Sequence, residues 1–139
     1  MQKIAFDSSI LIYYTAANPV FGPAARELLE MITAGQHVGV ISVIAVTELL
    51  TIKKKAARHS NKEMKRLERW LFSLSDIVII PIDIDIAMEG AAIRQQYGFK
   101  TPDALHLATA KIAGAKAFYT TDKQLVKYKG IKVKLLQPT

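Results

Sequence analysis

Four acidic residues stand where they could do chemistry: Asp7, Glu48, Asp103 and Asp122. Asp7 ends the run Ile4-Ala5-Phe6 and is followed by Ser8 and Ser9, and Asp122 follows Tyr119-Thr120-Thr121. Asp103 comes directly after Thr101-Pro102. Glu48 is the most informative of the four. It lies in Val43-Ile44-Ala45-Val46-Thr47-Glu48-Leu49-Leu50, an otherwise almost wholly apolar segment, so its carboxylate is expected to be partly buried. Burying an ionised group without a partner costs on the order of several kcal/mol, which calls for a cation, a hydrogen-bond network or a raised pKa. Each acid also has a plain structural role open to it. Asp7 and Asp122 can cap helices, Asp103 suits the first turn of a helix, and Glu48 can share a polar stripe with Thr47 and Thr51. Gathered at one place they would repel one another, and a divalent cation resolves that conflict. Oxygen donors suit magnesium or manganese (Mg2+ or Mn2+), whereas zinc would recruit Cys or His; this chain has no Cys and three scattered His. Such metals can bridge a phosphodiester, activate water and stabilise the leaving oxygen. The expected chemistry is metal-dependent nuclease action that leaves a 5′-phosphate on the downstream product.

The elements that would position these acids alternate short apolar runs with stretches of helical period, the pattern of an α/β domain with a mainly parallel sheet. Five strands are expected, at residues 3–6, 37–41, 77–80, 117–120 and 131–135. The first four are brief and apolar, as in central strands covered on both faces. The last alternates Ile131, Val133 and Leu135 with Lys132 and Lys134, which suits an edge strand. Helices are expected over residues 9–17, from Pro23 to a close at Gly35, from a Ser42 cap through Leu50, along a stripe of Met64, Leu67, Trp70, Leu71 and Leu74, over 84–97 and over 102–113, with Thr101 as a possible cap of the last. A short turn should follow Asp122. On this map the four acids fall at strand C-terminal ends or in the helices that follow, the edge where open parallel sheets bind ligands.

Composition sets the class. A chain of 139 residues with 50% hydrophobic content fits one domain over residues 1–139 with a real core. The absence of Cys excludes a disulfide framework, thiolate-bound zinc and a cysteine nucleophile, and makes reducing cytoplasm the natural compartment. The N-terminal segment reads as a buried strand rather than a signal peptide, and charges interrupt every apolar run before it reaches membrane-spanning length. The formal charge is +7. Lys53, Lys54, Lys55, Arg58, Lys62, Lys65, Arg66 and Arg69 form one basic group, and Lys123, Lys127, Lys129, Lys132 and Lys134 another. Such a surface attracts polyanions, with nucleic acid weighed against a merely solvated helix face. Lys53, Lys54, Lys55 and Arg58 are the RNA-contact candidates.

The runs Ile4-Ala5-Phe6-Asp7-Ser8-Ser9, Val46-Thr47-Glu48-Leu49, Thr101-Pro102-Asp103-Ala104-Leu105-His106-Leu107-Ala108-Thr109-Ala110 and Thr120-Thr121-Asp122-Lys123 resemble, in order, the successive acidic motifs of PIN domains. The resemblance spans nearly the whole chain and is greatest to the compact VapC-type toxins. It implies a Rossmann-like parallel sheet, magnesium- or manganese-dependent cleavage of RNA, a homodimer, and inhibition by a small antitoxin. It also places the family's acidic ligands on Asp7, Glu48, Asp103 and Asp122, with Ser8 or Ser9 and Thr120 as the hydroxyl-bearing neighbours. One departure concerns the last motif, where many members carry a further acid or amide close to the aspartate; here Thr121 precedes Asp122 and Gln124 lies two beyond it.

Other residues are assigned structural roles. His106, with apolar neighbours and no His-x-x-x-His spacing, reads as a core histidine or a support behind a ligand. Asp83 and Asp85 read as first-turn and capping acids; Arg94, Tyr13 and Tyr14 could contact RNA through phosphate or stacking, but aromatic residues near a strand end are more often core or dimer contacts. Two competing functions remain. A haloacid-dehalogenase-like phosphohydrolase would use Asp7 as nucleophile, but needs a second aspartate where this chain has Ser9. A non-catalytic RNA- or partner-binding module would use the basic surface alone, and retention of all four acids argues against it.

Overall fold

The computed structural model describes residues 2–57 and 60–138, and the side chains of 53–57 lie outside that description. Five strands, β1 (Gln2–Phe6), β2 (His37–Ser42), β3 (Ile77–Ile80), β4 (Ala117–Thr120) and β5 (Lys132–Leu135), form one parallel sheet in the order β3-β2-β1-β4-β5. The six helices described are α1 (Ser8–Thr15), α2 (Gly22–Met31), α3 (Ile44–Ala57), α4 (Asn61–Ser73), α5 (Ile84–Tyr97) and α6 (Thr101–Ile112). The chain builds outward from β1 to β3, then crosses back to β4 on the other side of β1. The order therefore reverses beside β1, and the crevice at such a reversal opens at the strand C-terminal ends.

Successive strand side chains point to opposite faces, and the two cores follow from that alternation. Ile4, Phe6 and Ile41 pack with Ile10, Leu11, Leu28, Leu29, Ile32, Leu49 and Leu71 of α1 to α4 and the turn after α2. Ala5, Val40 and Phe118 pack on the other face with Ile86, Ile93, Ala104, Leu107 and Ala108 of α5 and α6. Helices on both faces of a parallel sheet give the expected three-layer α/β arrangement.

Local signals place most boundaries. Gly98 ends α5 in the left-handed conformation at φ 73°, where a side chain would be strained. Ser42 Oγ accepts from the Ile44 amide at 3.2 Å, so it serves the start of α3 although it belongs to β2. Ser60 caps α4 through the Glu63 amide. The stripe of α4 faces inward as read, with Leu71 buried and Met64, Leu67, Trp70 and Leu74 half-buried, while Lys62, Lys65, Arg66 and Arg69 are exposed.

Two expectations are corrected. Strand β3 is an edge strand, paired only with β2, and Val78 is 48% exposed. An apolar run reports β propensity and partial burial, and it does not distinguish the second strand out from the last. The cap of α6 is Lys100, which makes no side-chain capping bond, and Thr101 is already helical; Pro102 in the first turn, with its fixed φ, suffices to start the helix. The candidate RNA contacts Lys53, Lys54 and Lys55 lie on α3 with side chains outside the described residues, and Arg58 lies outside them altogether.

Because Leu107 is fully buried between α6 and the sheet, Leu107→Ala should cost about 2–5 kcal/mol in urea unfolding. Val78→Thr, on the open edge, should stay within about 0.5 kcal/mol of the parent.

Candidate active site

Asp7 directly follows β1 and caps α1, so the structural role and the chemical one fall on the same residue. Its Oδ1 accepts from the Ser9 amide at 3.0 Å and from Ser9 Oγ at 2.5 Å. Its Oδ2 accepts from Thr120 Oγ1 at 2.5 Å. Thr120 is the last residue of β4, fully buried, and its Oγ1 also accepts from the Asp122 amide at 3.0 Å. A single hydroxyl thus ties the end of β1 to the start of the Asp122 turn. Asp122 in turn caps the short 3-10 turn Lys123–Lys127, its Oδ1 accepting from the Gln124 amide at 2.9 Å.

Glu48, in the second turn of α3, belongs to a separate group. Its Oε1 accepts from Ser8 Oγ at 3.1 Å and contacts His106 Nε2 at 2.6 Å. Glu48 is half-buried, whereas Thr47 and Thr51 are exposed, so it does not share their stripe. Asp103 occupies the first turn of α6, a helix that runs back along the sheet to deliver the chain to β4, so its N-terminal turn lies at the strand C-terminal edge. Asp103 makes no side-chain hydrogen bond to any described residue.

Electrostatics show that the four acids share one region. Burial pushes Asp103 above the ordinary aspartate range, and repulsion from Asp122, Asp7 and Glu48 pushes it further, with His106 opposing. Burial also raises Asp7, against the hydrogen bonds from Ser9 and Thr120 and the influence of His106. For Glu48 burial pulls upward, but the His106 hydrogen bond, the attraction of the same ring and the Ser8 hydrogen bond together leave it lowered.

Among the described residues, no three His, Cys, Asp or Glu side chains stand close enough to enclose a metal ion. That does not conflict with the mutual repulsion, because Coulomb interactions reach well beyond coordination distance. The donor set itself, carboxylates with hydroxyls beside them, is the kind that hard divalent cations take, usually with several waters retained. The residues fit such an ion in chemistry.

Every candidate acid and hydroxyl, Asp7, Ser8, Ser9, Glu48, Asp103, Thr120 and Asp122, therefore lies at this edge. His106 is the residue the sequence left undivided between core and support: it is 3% exposed and bonded to Glu48. Its place one helical turn beyond Asp103, on the same face, was the available signal. Arg94 is structural, its Nε donating to the Phe99 carbonyl at 3.0 Å. Tyr14 stacks on Trp70 at 5.5 Å in a groove of about 850 Å³ at the far end of α1, rimmed by Arg26 and Arg66. None of the four acids lines that groove.

The PIN domain model matches residues 4–131 of the chain. In a solved toxin-antitoxin complex from Klebsiella pneumoniae, one chain is 30% identical with a TM-score of 0.67, over 92% of this chain and 94% of that one. A DNA-bound VapBC from Salmonella typhimurium is 19% identical with a TM-score of 0.72, over 98% and 99% of the two chains. VapC20 from Mycobacterium tuberculosis, a Sarcin-Ricin loop cleaving toxin, is 15% identical with a TM-score of 0.70, over 93% and 98%; these last two likenesses concern the fold. Comparison with curated proteins returns no match.

The raised Asp103 has a testable sign. Its ionised form costs the folded state stability above the ordinary aspartate value of 3.8, and below that value the cost vanishes because both states are protonated. In metal-free buffer Asp103→Asn should therefore melt above the parent at pH 7, and scans at falling pH should show the gap closing.

Proposed function

The chain belongs to the PIN domain family, and on that footing we propose that it is a metal-dependent ribonuclease, the toxin of a toxin-antitoxin pair. The observation that carries this reading is the placement of the acids at the strand C-terminal edge: Asp7 directly follows β1, Thr120 at the end of β4 bonds both Asp7 and the Asp122 amide, Ser8 bonds Glu48, and Asp103 lies in the first turn of α6. A protein built only to bind RNA through its basic surface has no use for four acids along one edge, since they repel the phosphates it would attract.

Asp7, Glu48, Asp103 and Asp122 are the residues proposed to hold magnesium or manganese. When bound, such an ion supplies water activation near neutral pH and neutralisation of charge on the phosphodiester. The chain's own groups do the rest. Ser9 and Thr120 fix both oxygens of Asp7, so its position does not depend on the ion. Thr120 also holds the Asp122 backbone, and Ser8 and His106 hold Glu48. The dehalogenase-like alternative is disfavoured because it needs a second aspartate two residues after Asp7, where this chain has Ser9, whose hydroxyl and amide are both bonded to Asp7 Oδ1.

The substrate proposed is RNA, drawn by a net charge of +7 and by the exposed Lys62, Lys65, Arg66 and Arg69 of α4. The solved toxin-antitoxin and VapBC complexes support a small antitoxin as partner. The homodimer and the cytoplasmic location stand as parts of the same proposal; none of the described helices is long and apolar enough to cross a membrane.

Purified protein incubated with structured and single-stranded RNAs should cut with manganese or magnesium, stop in excess EDTA, and leave 5′-phosphate ends. Asp7→Asn should lower the rate roughly 100-fold or more. Cleavage unchanged by EDTA, or 2′,3′-cyclic phosphate ends, would refute the mechanism.

A further inference from the structure

We propose that His106 is a positioning residue for the metal site: its ring N–H holds Glu48 by one oxygen, so that the other oxygen is the one offered to the cation. This rests on Glu48 being a metal ligand, as proposed above.

Three observations carry it. The contact between His106 Nε2 and Glu48 Oε1 is 2.6 Å, and Ser8 Oγ donates to the same oxygen at 3.1 Å. Both donors therefore converge on Oε1, and Oε2 makes no hydrogen bond to any described residue. Secondly, His106 Nδ1 is buried without a partner among the described residues. Buried polar groups are almost always bonded, so a histidine kept only for packing would turn, or be replaced by Leu, sooner than strand a nitrogen. The ring's orientation is set by its other nitrogen, at Glu48. Thirdly, the bond joins helices from opposite faces of the sheet. Glu48 is on α3, beside the core of Ile10 and Leu49, and His106 is on α6, beside that of Leu107 and Phe118. A link across the top of the sheet fixes where the Glu48 carboxylate stands relative to Asp103, three residues before His106 on α6.

The arrangement matches the way carboxylate ligands are oriented elsewhere, by hydrogen bonds from groups that never touch the metal and whose loss weakens metal affinity about 10- to 100-fold. The comparison that isolates the N–H is His106→Gln against His106→Asn. The Gln amide reaches the place of Nε2 and can donate to Oε1; the Asn amide reaches only that of Nδ1.

Manganese affinity of the purified, RNA-free protein, read by calorimetry, tests this with Glu48→Gln as control. We expect His106→Asn to bind manganese about 10- to 100-fold more weakly and His106→Gln to recover most of the loss. Melting temperature without metal reports folding separately, and His106→Leu, of similar volume and without a donor, replaces the Asn variant should that one not fold. If Glu48→Gln weakens binding while His106→Asn does not, His106 has no positioning role and the nuclease reading stands. Equal loss in the Gln and Asn variants would likewise overturn the N–H as the cause. Unchanged affinity in Glu48→Gln would remove both this inference and the assignment of Glu48 as a ligand.

Discussion

Like charges held close together govern this structure. Asp103 is raised by burial and by three other carboxylates, and Asp7 is buried at the foot of α1 with its charge shared among hydroxyls and an amide. Such an arrangement is unfavourable in isolation, and it persists because the fold over-determines it. Two packed cores, one on each side of the sheet, place the acid-bearing backbone at one edge.

The topology explains why the acids meet at all. β1 is the middle strand, paired with β2 on one side and β4 on the other. Its C-terminal end is adjacent to the segments that carry Glu48 and Asp122, although these lie 41 and 115 residues beyond Asp7. The reversal of strand order beside β1 opens the crevice into which α6 brings Asp103. The functional edge follows from strand order, and strand order from the burial of short apolar runs between helix layers.

The sequence made some of this legible and left the rest hidden, for physical reasons. Ile77–Ile80 and Ala117–Thr120 are bounded by sharp composition changes, so their limits could be read off. The edge position of β3 could not, since Ile-Val-Ile-Ile looks the same whichever neighbours it has. Glu48 stood out because a charge amid apolar residues must find a partner, but the identity of that partner depends on which helix crosses overhead. His106 was ambiguous for the same reason. Its sequence neighbours are apolar whether it packs silently or bonds a carboxylate, and only the approach of α3 to α6 at the edge of the sheet decides. Lys53, Lys54, Lys55 and Arg58 were chosen for charge alone, a property that fixes attraction to polyanions and not the place of contact.

The hydrogen bonds divide the site into two groups that meet in the segment Asp7-Ser8-Ser9. Asp7 belongs with Ser9, Thr120 and Asp122, and Ser8, the next residue, belongs with Glu48 and His106. The turn from β1 into α1 thus sets the separation of the two groups, and a shift of either helix layer moves one carboxylate against the other. Asp103 is bonded to neither group, yet it feels the charge of both. Under the metal-dependent reading proposed above, the bonded acids would mark where an ion is drawn, and Asp103, with no hydrogen bond to a described residue, would be the acid left to turn toward it.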